Sequence, residues 1–78
     1  MDDEKGIFGV VAETVKRARK AAGLSQEALA FEADLDRTYI SQVERRKRNV
    51  TIVVLARIAK ALKITPDRLL IPPRKTKG

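Results

Sequence analysis

The most informative part of the chain is residues 24–45, which read LSQEALAFEADLDRTYISQVER. Ser25 favours the N-cap of a helix, and Glu27 complements the positive end of the helix that follows. Asp34 tolerates left-handed backbone better than most residues, and Asp36 can cap another helix immediately. Two helices joined by about three residues must turn sharply, by roughly 90–120°. The stretch therefore predicts a helix-turn-helix.

The later helix of this pair, predicted from Arg37 to about Arg45, has two different faces. At about 100° per residue, Ile40 and Val43 point to one side, with Glu44 beside them. The opposite side carries hydroxyl, amide and guanidinium groups, from Thr38, Gln42 and Arg45, flanked by Ser41 and Tyr39. Such a face is either an ordinary solvated surface or one that recognises a polar partner through hydrogen bonds.

Helical patterns also surround this pair. Apolar residues at three- and four-residue steps predict a first helix from Phe8 to Ala22. Gly23 is predicted to end this helix by adopting a left-handed backbone conformation. Thr51 is predicted to cap a fourth helix with an inner stripe of Ile52, Leu55, Ile58, Ala59 and Leu62. Thr65-Pro66-Asp67 predicts the start of a short fifth helix through Leu70. The fold class is therefore all-α with five helices.

Length and charge indicate what kind of domain this is. The chain has 78 residues and 8.7 kDa, enough for one domain, and a formal net charge of +7. Such a charge indicates a polyanionic partner, nucleic acid before membrane or acidic protein, or else a basic surface that only keeps the protein soluble. An acidic, flexible segment is expected at residues 1–7, the domain at 8–71, and a basic disordered tail at 72–78.

The residue types that are missing exclude several functions. Without cysteine or histidine the chain has no disulfide, no thiolate or imidazole metal ligand, and no histidine to act as the usual general base near neutral pH. We therefore expect no enzyme activity, no metal and no cofactor. The lack of cysteine fits a reducing compartment, so a cytoplasmic protein without a membrane span is expected.

The order of these motifs resembles one known family. LSQEALA at 24–30, Leu35, DRTYIS at 36–41 and VER at 43–45 are similar to the phage-repressor-like (Cro/xenobiotic-response-element type) helix-turn-helix domain, a lambda-repressor-like fold. ARIAKAL at 56–62 and Leu69-Leu70 resemble its fourth and fifth helices, so the resemblance runs from about Phe8 to Leu70. Within the family it is closest to small stand-alone regulators such as restriction–modification controller proteins.

The resemblance implies functional roles for individual residues. It implies contacts to bases in the major groove of double-stranded DNA by Arg37, Thr38 and Gln42, with Ser41 and Arg45 nearby. It implies contacts to backbone phosphates by Gln26, Tyr39, Arg46, Lys47 and Asn49. It also implies a buried ion pair between Arg19 and Glu44, and the residues favour this pair because an unpaired carboxylate beside Val43 would be costly.

Three residues of the chain depart from the family pattern, and the position of a fourth has two interpretations. Asp34 and Arg46 stand where glycine is usual, and Val50 stands where proline is common. Phe31 could pack in the core or form part of a partner surface.

Two further predictions concern partners. The fifth helix is too short to bury Leu69, Leu70 and Ile71 together, so these residues either form the interface of a homodimer or simply close the core. The leading interpretation is a regulator that binds a palindromic operator as a dimer. The alternative is an antitoxin-like protein-interaction module of the same fold; RNA binding is less favoured because the chain has only three aromatic residues, two Phe and one Tyr.

Overall fold

The computed structural model describes residues 6–72, which form four α-helices and a short 3₁₀ helix and contain no strand. The α-helices are α1 (Ile7–Ala21), α2 (Gln26–Ala33), α3 (Arg37–Glu44) and α4 (Ile52–Leu62), and the 3₁₀ helix spans Pro66–Leu70. Residues 1–5 of the predicted acidic segment and residues 73–78 of the predicted basic tail lie outside the described residues. None of the described helices is long and apolar enough to cross a membrane.

Polar side chains fix where three of the helices begin. The side chain of Ser25 accepts a hydrogen bond from the backbone N–H of Ala28 at 3.0 Å, as expected of an N-cap. Asp36 accepts from the N–H of Thr38 at 2.9 Å, and Thr51 caps α4 in the same way. These caps confirm the predicted starts of α2, α3 and α4.

Left-handed backbone ends all four α-helices. The residues are Gly23 (φ 73°), Asp34 (φ 60°), Arg46 (φ 61°) and Lys63 (φ 62°). In each case the N–H of the residue that follows donates to the carbonyl five residues before it, which is the pattern of a Schellman motif. The donor–acceptor pairs, at 2.8–3.0 Å, are Leu24–Arg19, Leu35–Ala30, Lys47–Gln42 and Ile64–Ala59. Asp34 thus adopts the predicted conformation. Only one of the four positions is glycine, so the other three are strained by about 1–2 kcal/mol each.

One hydrophobic core holds the helices together. Six side chains are almost completely buried, and they come from all five helical segments: Val15, Leu29, Ile40, Val43, Ile58 and Leu69. The α2 helix packs against α3 and α4, and the 3₁₀ helix packs against α1 and α4. The hydroxyl of Thr14 is 2.7 Å from the carbonyl oxygen of Leu69 and ties the 3₁₀ helix to α1.

The prediction of five helices is not confirmed, because the fifth element is a 3₁₀ helix. It has only five residues, and the N–H of Arg68 donates to the carbonyl of the N-cap residue Thr65, three residues earlier, at 3.0 Å. Thr65 precedes this 3₁₀ helix as its N-cap residue but makes no side-chain capping bond. A segment confined between Pro66 and Pro72 is too short for a stable α-helix, and short runs favour 3₁₀ geometry.

The predicted inner stripe of α4 is wrong at its first residue. Leu55, Ile58, Ala59 and Leu62 are buried, but Ile52 is 82% exposed. Helical side chains lean toward the N-terminus, so the side chain of the first helical residue extends past the end of the helix and away from the core.

Candidate nucleic-acid interface

The α3 helix is held by its inner face and presents a polar outer face. Ile40 and Val43 are 0% and 2% exposed, so they fix the helix against the core. The five residues assigned to base contacts all lie away from the core: Arg37, Thr38 and Arg45 are exposed, and Ser41 and Gln42 are half-buried. Their functional groups are therefore brought together on one surface of α3.

The turn between α2 and α3 is held by an arginine from α4. The guanidinium of Arg57 donates to the carbonyl oxygens of Ala33 at 3.2 Å and Asp34 at 2.7 Å. It also forms an exposed ion pair with the Asp34 carboxylate at 3.2 Å. A cation at the carbonyl end of a helix satisfies groups that have no partner within that helix. The role of Arg57 could not be predicted from the sequence, because no local pattern connects residues 23 positions apart.

A buried ion pair joins the N-terminal helix to the end of α3. Arg19 donates to both carboxylate oxygens of Glu44, through Nε at 2.7 Å and Nη2 at 3.1 Å. The side chains are only 11% and 3% exposed. The structure thus contains the pair that the sequence resemblance implied, and Arg19 also donates through Nη1 to the Leu24 carbonyl at 2.8 Å.

The same carboxylate orients the first residue of α2. The amide Nε2 of Gln26 donates to Glu44 Oε1 at 3.0 Å. Gln26 is half-buried and lies directly after the N-cap Ser25, at the positive end of α2. The network from Arg19 through Glu44 to Gln26 therefore couples the ends of α1, α2 and α3.

The loop after α3 turns back over the last turn of that helix. Arg46 adopts left-handed backbone, and the N–H of Lys47 donates to the carbonyl of Gln42 at 2.8 Å. Arg46, Lys47, Arg48 and Asn49 are all exposed. Tyr39, the remaining residue assigned to phosphates, is half-buried on α3.

Arg48 is a residue of this surface that the sequence-based site did not include. Its Nε donates to the side-chain oxygen Oε1 of Gln42 at 3.0 Å, and its guanidinium carbon lies 4.5 Å from the centroid of the Tyr39 ring. On the other flank, Arg45 Nη1 lies 3.5 Å from the hydroxyl of Ser41. The signal for Arg48 was its place in a basic run after α3, but the sequence did not show which α3 residue it would contact.

Charge concentrates on this part of the molecule. Residues 37–48 contain five cations, Arg37, Arg45, Arg46, Lys47 and Arg48, all of them exposed. Their one acidic residue, Glu44, is neutralised by Arg19. The surface can therefore attract a polyanion while its hydroxyl and amide groups form directional hydrogen bonds.

The predicted dimer residues divide between the core and the surface. The prediction is wrong for Leu69, which is 0% exposed within one chain and closes the core because α1 and α4 cover it. Leu70 and Ile71 are 42% and 51% exposed. Leu70 also lines an apolar groove with Ile7 and Ile52.

Phe31 is not part of the core. Its side chain is 82% exposed on α2, so core packing, one of the two alternatives, is wrong. Among residues 6–72, no three acidic side chains come together in a group that could hold a metal ion.

Comparison with known proteins gives consistent matches. A family model described as Helix-turn-helix (HTH_3) matches residues 15–69. The chain is 48% identical over 64 residues to Control protein C.SmaI from Serratia marcescens. The aligned region covers 82% of this chain and 76% of that protein. The residues that the family model matches include α2, the turn, α3 and the basic loop.

Solved structures are similar over most of the chain. The hypothetical transcription factor NHTF from Neisseria matches with a TM-score of 0.85 and 38% identity, covering 94% of this chain and 84% of that one. The restriction-modification controller protein C.AhdI from Aeromonas hydrophila matches with a TM-score of 0.77 and 44% identity, covering 80% of this chain and 94% of that one.

Proposed function

The chain belongs to the Helix-turn-helix family, as the sequence resemblance implied, and we propose that it is a sequence-specific transcriptional regulator of double-stranded DNA. It acts in the cytoplasm on nucleoid DNA, through the domain at residues 8–71, and its chemistry is binding rather than catalysis. The observation that carries the proposal is the two-faced α3 helix, which Ile40 and Val43 anchor while its polar groups remain on the surface.

The outer face of α3 supplies the groups that base recognition in the major groove needs. Guanidinium and amide groups, as in Arg37 and Gln42, can contact base edges through paired hydrogen bonds, each worth about 1–3 kcal/mol of discrimination. Thr38, Ser41 and Arg45 lie beside them on the same helix. An α-helix fits the major groove, so this face can reach the base edges.

Phosphate contacts are assigned to the edges of the same surface. Lys47, Arg46 and Asn49 lie in the exposed loop after α3, and Tyr39 lies beside it. Gln26 is placed at the start of α2, where backbone N–H groups and the helix dipole favour an anion. Contacts of this kind position the protein on DNA and produce most of the salt dependence of binding.

We further propose that two copies bind a palindromic operator. The exposed apolar side chains Ile7, Ile52 and Leu70 line one groove, and Val53 and Ile71 are also exposed apolar residues. The groove is also lined by Arg48 and Asn49, so a second copy on it would lie next to the DNA-binding loop. The described domain measures 34 × 29 × 18 Å, a size that suits two recognition helices about 34–36 Å apart on successive major grooves.

Selection of bound sites from random duplex DNA at two salt concentrations tests the proposal. The expected result is one enriched sequence with two-fold symmetry and half-sites about one helical turn apart. Recovery of sequences without any enrichment would overturn it.

A variant of the apolar groove tests the dimer. Ile52→Glu should abolish dimer formation and the preference for paired half-sites. Phe31→Glu is the matched control, because both side chains are 82% exposed and neither supports the core.

A second candidate function is an antitoxin-like protein-interaction module, which the exposed aromatic ring of Phe31 favours. The two candidates differ in what Phe31→Ser changes. Loss of an equimolar protein partner with unchanged DNA binding would support the interaction module, whereas the DNA-binding proposal expects Phe31→Ser to behave like the unaltered protein.

A further inference from the structure

We propose that Arg48 determines which base Gln42 recognises, because it holds the oxygen of the Gln42 amide and leaves the amide N–H groups to face DNA. The inference rests on the proposed function and adds a specificity-determining residue to it. Arg48 is a positioning residue here, since it acts on the base through Gln42.

The geometry fixes the orientation of the Gln42 side chain. Arg48 Nε lies 3.0 Å from Oε1 of Gln42. A guanidinium has only donors, so the amide atom that faces it must be the oxygen and Nε2 must point elsewhere. A Gln side chain without such a partner can rotate its amide by half a turn and exchange its donor and acceptor.

A contact with Tyr39 and the fixed backbone of the loop hold Arg48 in place. Its guanidinium carbon lies 4.5 Å from the centroid of the Tyr39 ring, within the range of a cation–π interaction. The backbone of the loop is also fixed, because Arg46 is left-handed and the N–H of Lys47 donates to the carbonyl of Gln42. Gln42 thus contacts the loop through both its backbone and its side chain.

This orientation favours some bases over others. In the major groove guanine presents two acceptors, O6 and N7, whereas adenine presents the acceptor N7 beside the donor N6–H₂. The usual paired contact of Gln with adenine needs the amide oxygen as well as the N–H₂ group. The oxygen of Gln42 has a second lone pair, but Arg48 holds this oxygen on the side of the loop. The N–H₂ group is therefore the part of the amide left to face a base, and it matches guanine better.

The test measures binding to four duplexes that differ only at the base pair read by Gln42. That base pair is identified as the one where Gln42→Ala loses discrimination. The proposal predicts that the unaltered protein prefers guanine to adenine about tenfold there. Arg48→Met, which keeps the length but removes the donors, should reduce this ratio to about one or reverse it. Arg48→Lys, which keeps a donor, should restore part of the preference.

Control variants separate this role from a direct contact of Arg48 with DNA. Lys47→Met removes one exposed charge without touching the Gln42 amide, so it should weaken binding to all four duplexes alike. In a background of Gln42→Ala, the further change Arg48→Met should leave the base preference unaltered. An effect that persists without Gln42 would show that Arg48 reads the base itself and would overturn the proposal.

Other outcomes also overturn it and remain distinct from failure of the proposed function. Equal weakening of all four duplexes by Arg48→Met would reduce Arg48 to a phosphate contact. A preference for adenine in the unaltered protein, or no base pair that depends on Gln42, would also contradict the inference. In each of these cases the protein can still select a specific operator, whereas a protein that selects none would contradict the proposed function as well.

Discussion

Glu44→Gln should destabilise the domain strongly although it changes only one atom. The carboxylate of Glu44 is 3% exposed and accepts hydrogen bonds from Arg19 Nε, Arg19 Nη2 and Gln26 Nε2 at 2.7, 3.1 and 3.0 Å. An amide in its place would direct an N–H group at these donors. It would also leave the charge of Arg19, whose side chain is 11% exposed, without its partner.

The size of the effect follows from the burial of the pair. Removal of one partner of a buried ion pair costs about 3–5 kcal/mol, because the remaining charge stays buried without compensation. A domain of 78 residues has a total stability of roughly 4–12 kcal/mol. Glu44→Gln should therefore remove a large part of the free energy of unfolding.

Urea denaturation, followed by circular dichroism at one fixed protein concentration without DNA, measures the loss. Asp34→Asn is the matched control, since it makes the same chemical change in a pair whose side chains are 96% and 41% exposed. It should cost less than about 1 kcal/mol. The double variant Arg19→Met, Glu44→Leu removes both charges and should recover most of the stability.

Equal small losses in the free energy of unfolding for Glu44→Gln and Asp34→Asn would show that burial of the Arg19–Glu44 pair does not set its cost. A double variant less stable than Glu44→Gln would show that the defect is lost packing rather than an unpaired charge.

Three further predictions have definite expected results. Lys63→Gly should stabilise the domain by about 1 kcal/mol in urea denaturation, because Lys63 has φ 62°. Lys60→Gly, in the right-handed last turn of α4, should instead destabilise it by up to about 1 kcal/mol, and stabilisation by both would contradict this. Ile58→Ala should lower the free energy of unfolding by about 2–5 kcal/mol, because its side chain is 0% exposed. Phe31→Ala should lower it by less than about 0.5 kcal/mol, because its side chain is 82% exposed, and equal losses would contradict the assigned core. Lys47→Ala should weaken binding to all duplexes alike and reduce the slope of log K against log salt by about one unit, and an unchanged slope would show that Lys47 does not touch a phosphate.

Local signals in the sequence predicted most of the fold. The caps Ser25, Asp36 and Thr51 act within two or three residues of themselves, so their roles depend little on the rest of the chain. The left-handed backbone of Asp34 and the division of α3 into two faces are local in the same sense. Patterns of this kind can be read directly from sequence.

Features that depend on distant contacts could not be predicted. Leu69 is buried because α1 and α4 cover it, and the length of its own helix indicated the opposite. Arg57 acts on a turn 23 residues earlier in the chain. Arg48 lies in a run of basic residues that looks uniform in sequence, and only the path of the loop selects it as the partner of Gln42.

Binding of Gln42→Ala to the selected operator and to an unrelated duplex, at the same salt concentration, tests whether the outer face of α3 recognises bases. Loss of a base contact should weaken operator binding by about tenfold to a hundredfold, equivalent to roughly 1–3 kcal/mol, and leave binding to the unrelated duplex nearly unchanged. Equal weakening on both duplexes would show that Gln42 reads no base, and the assignment of this face to sequence recognition would be wrong.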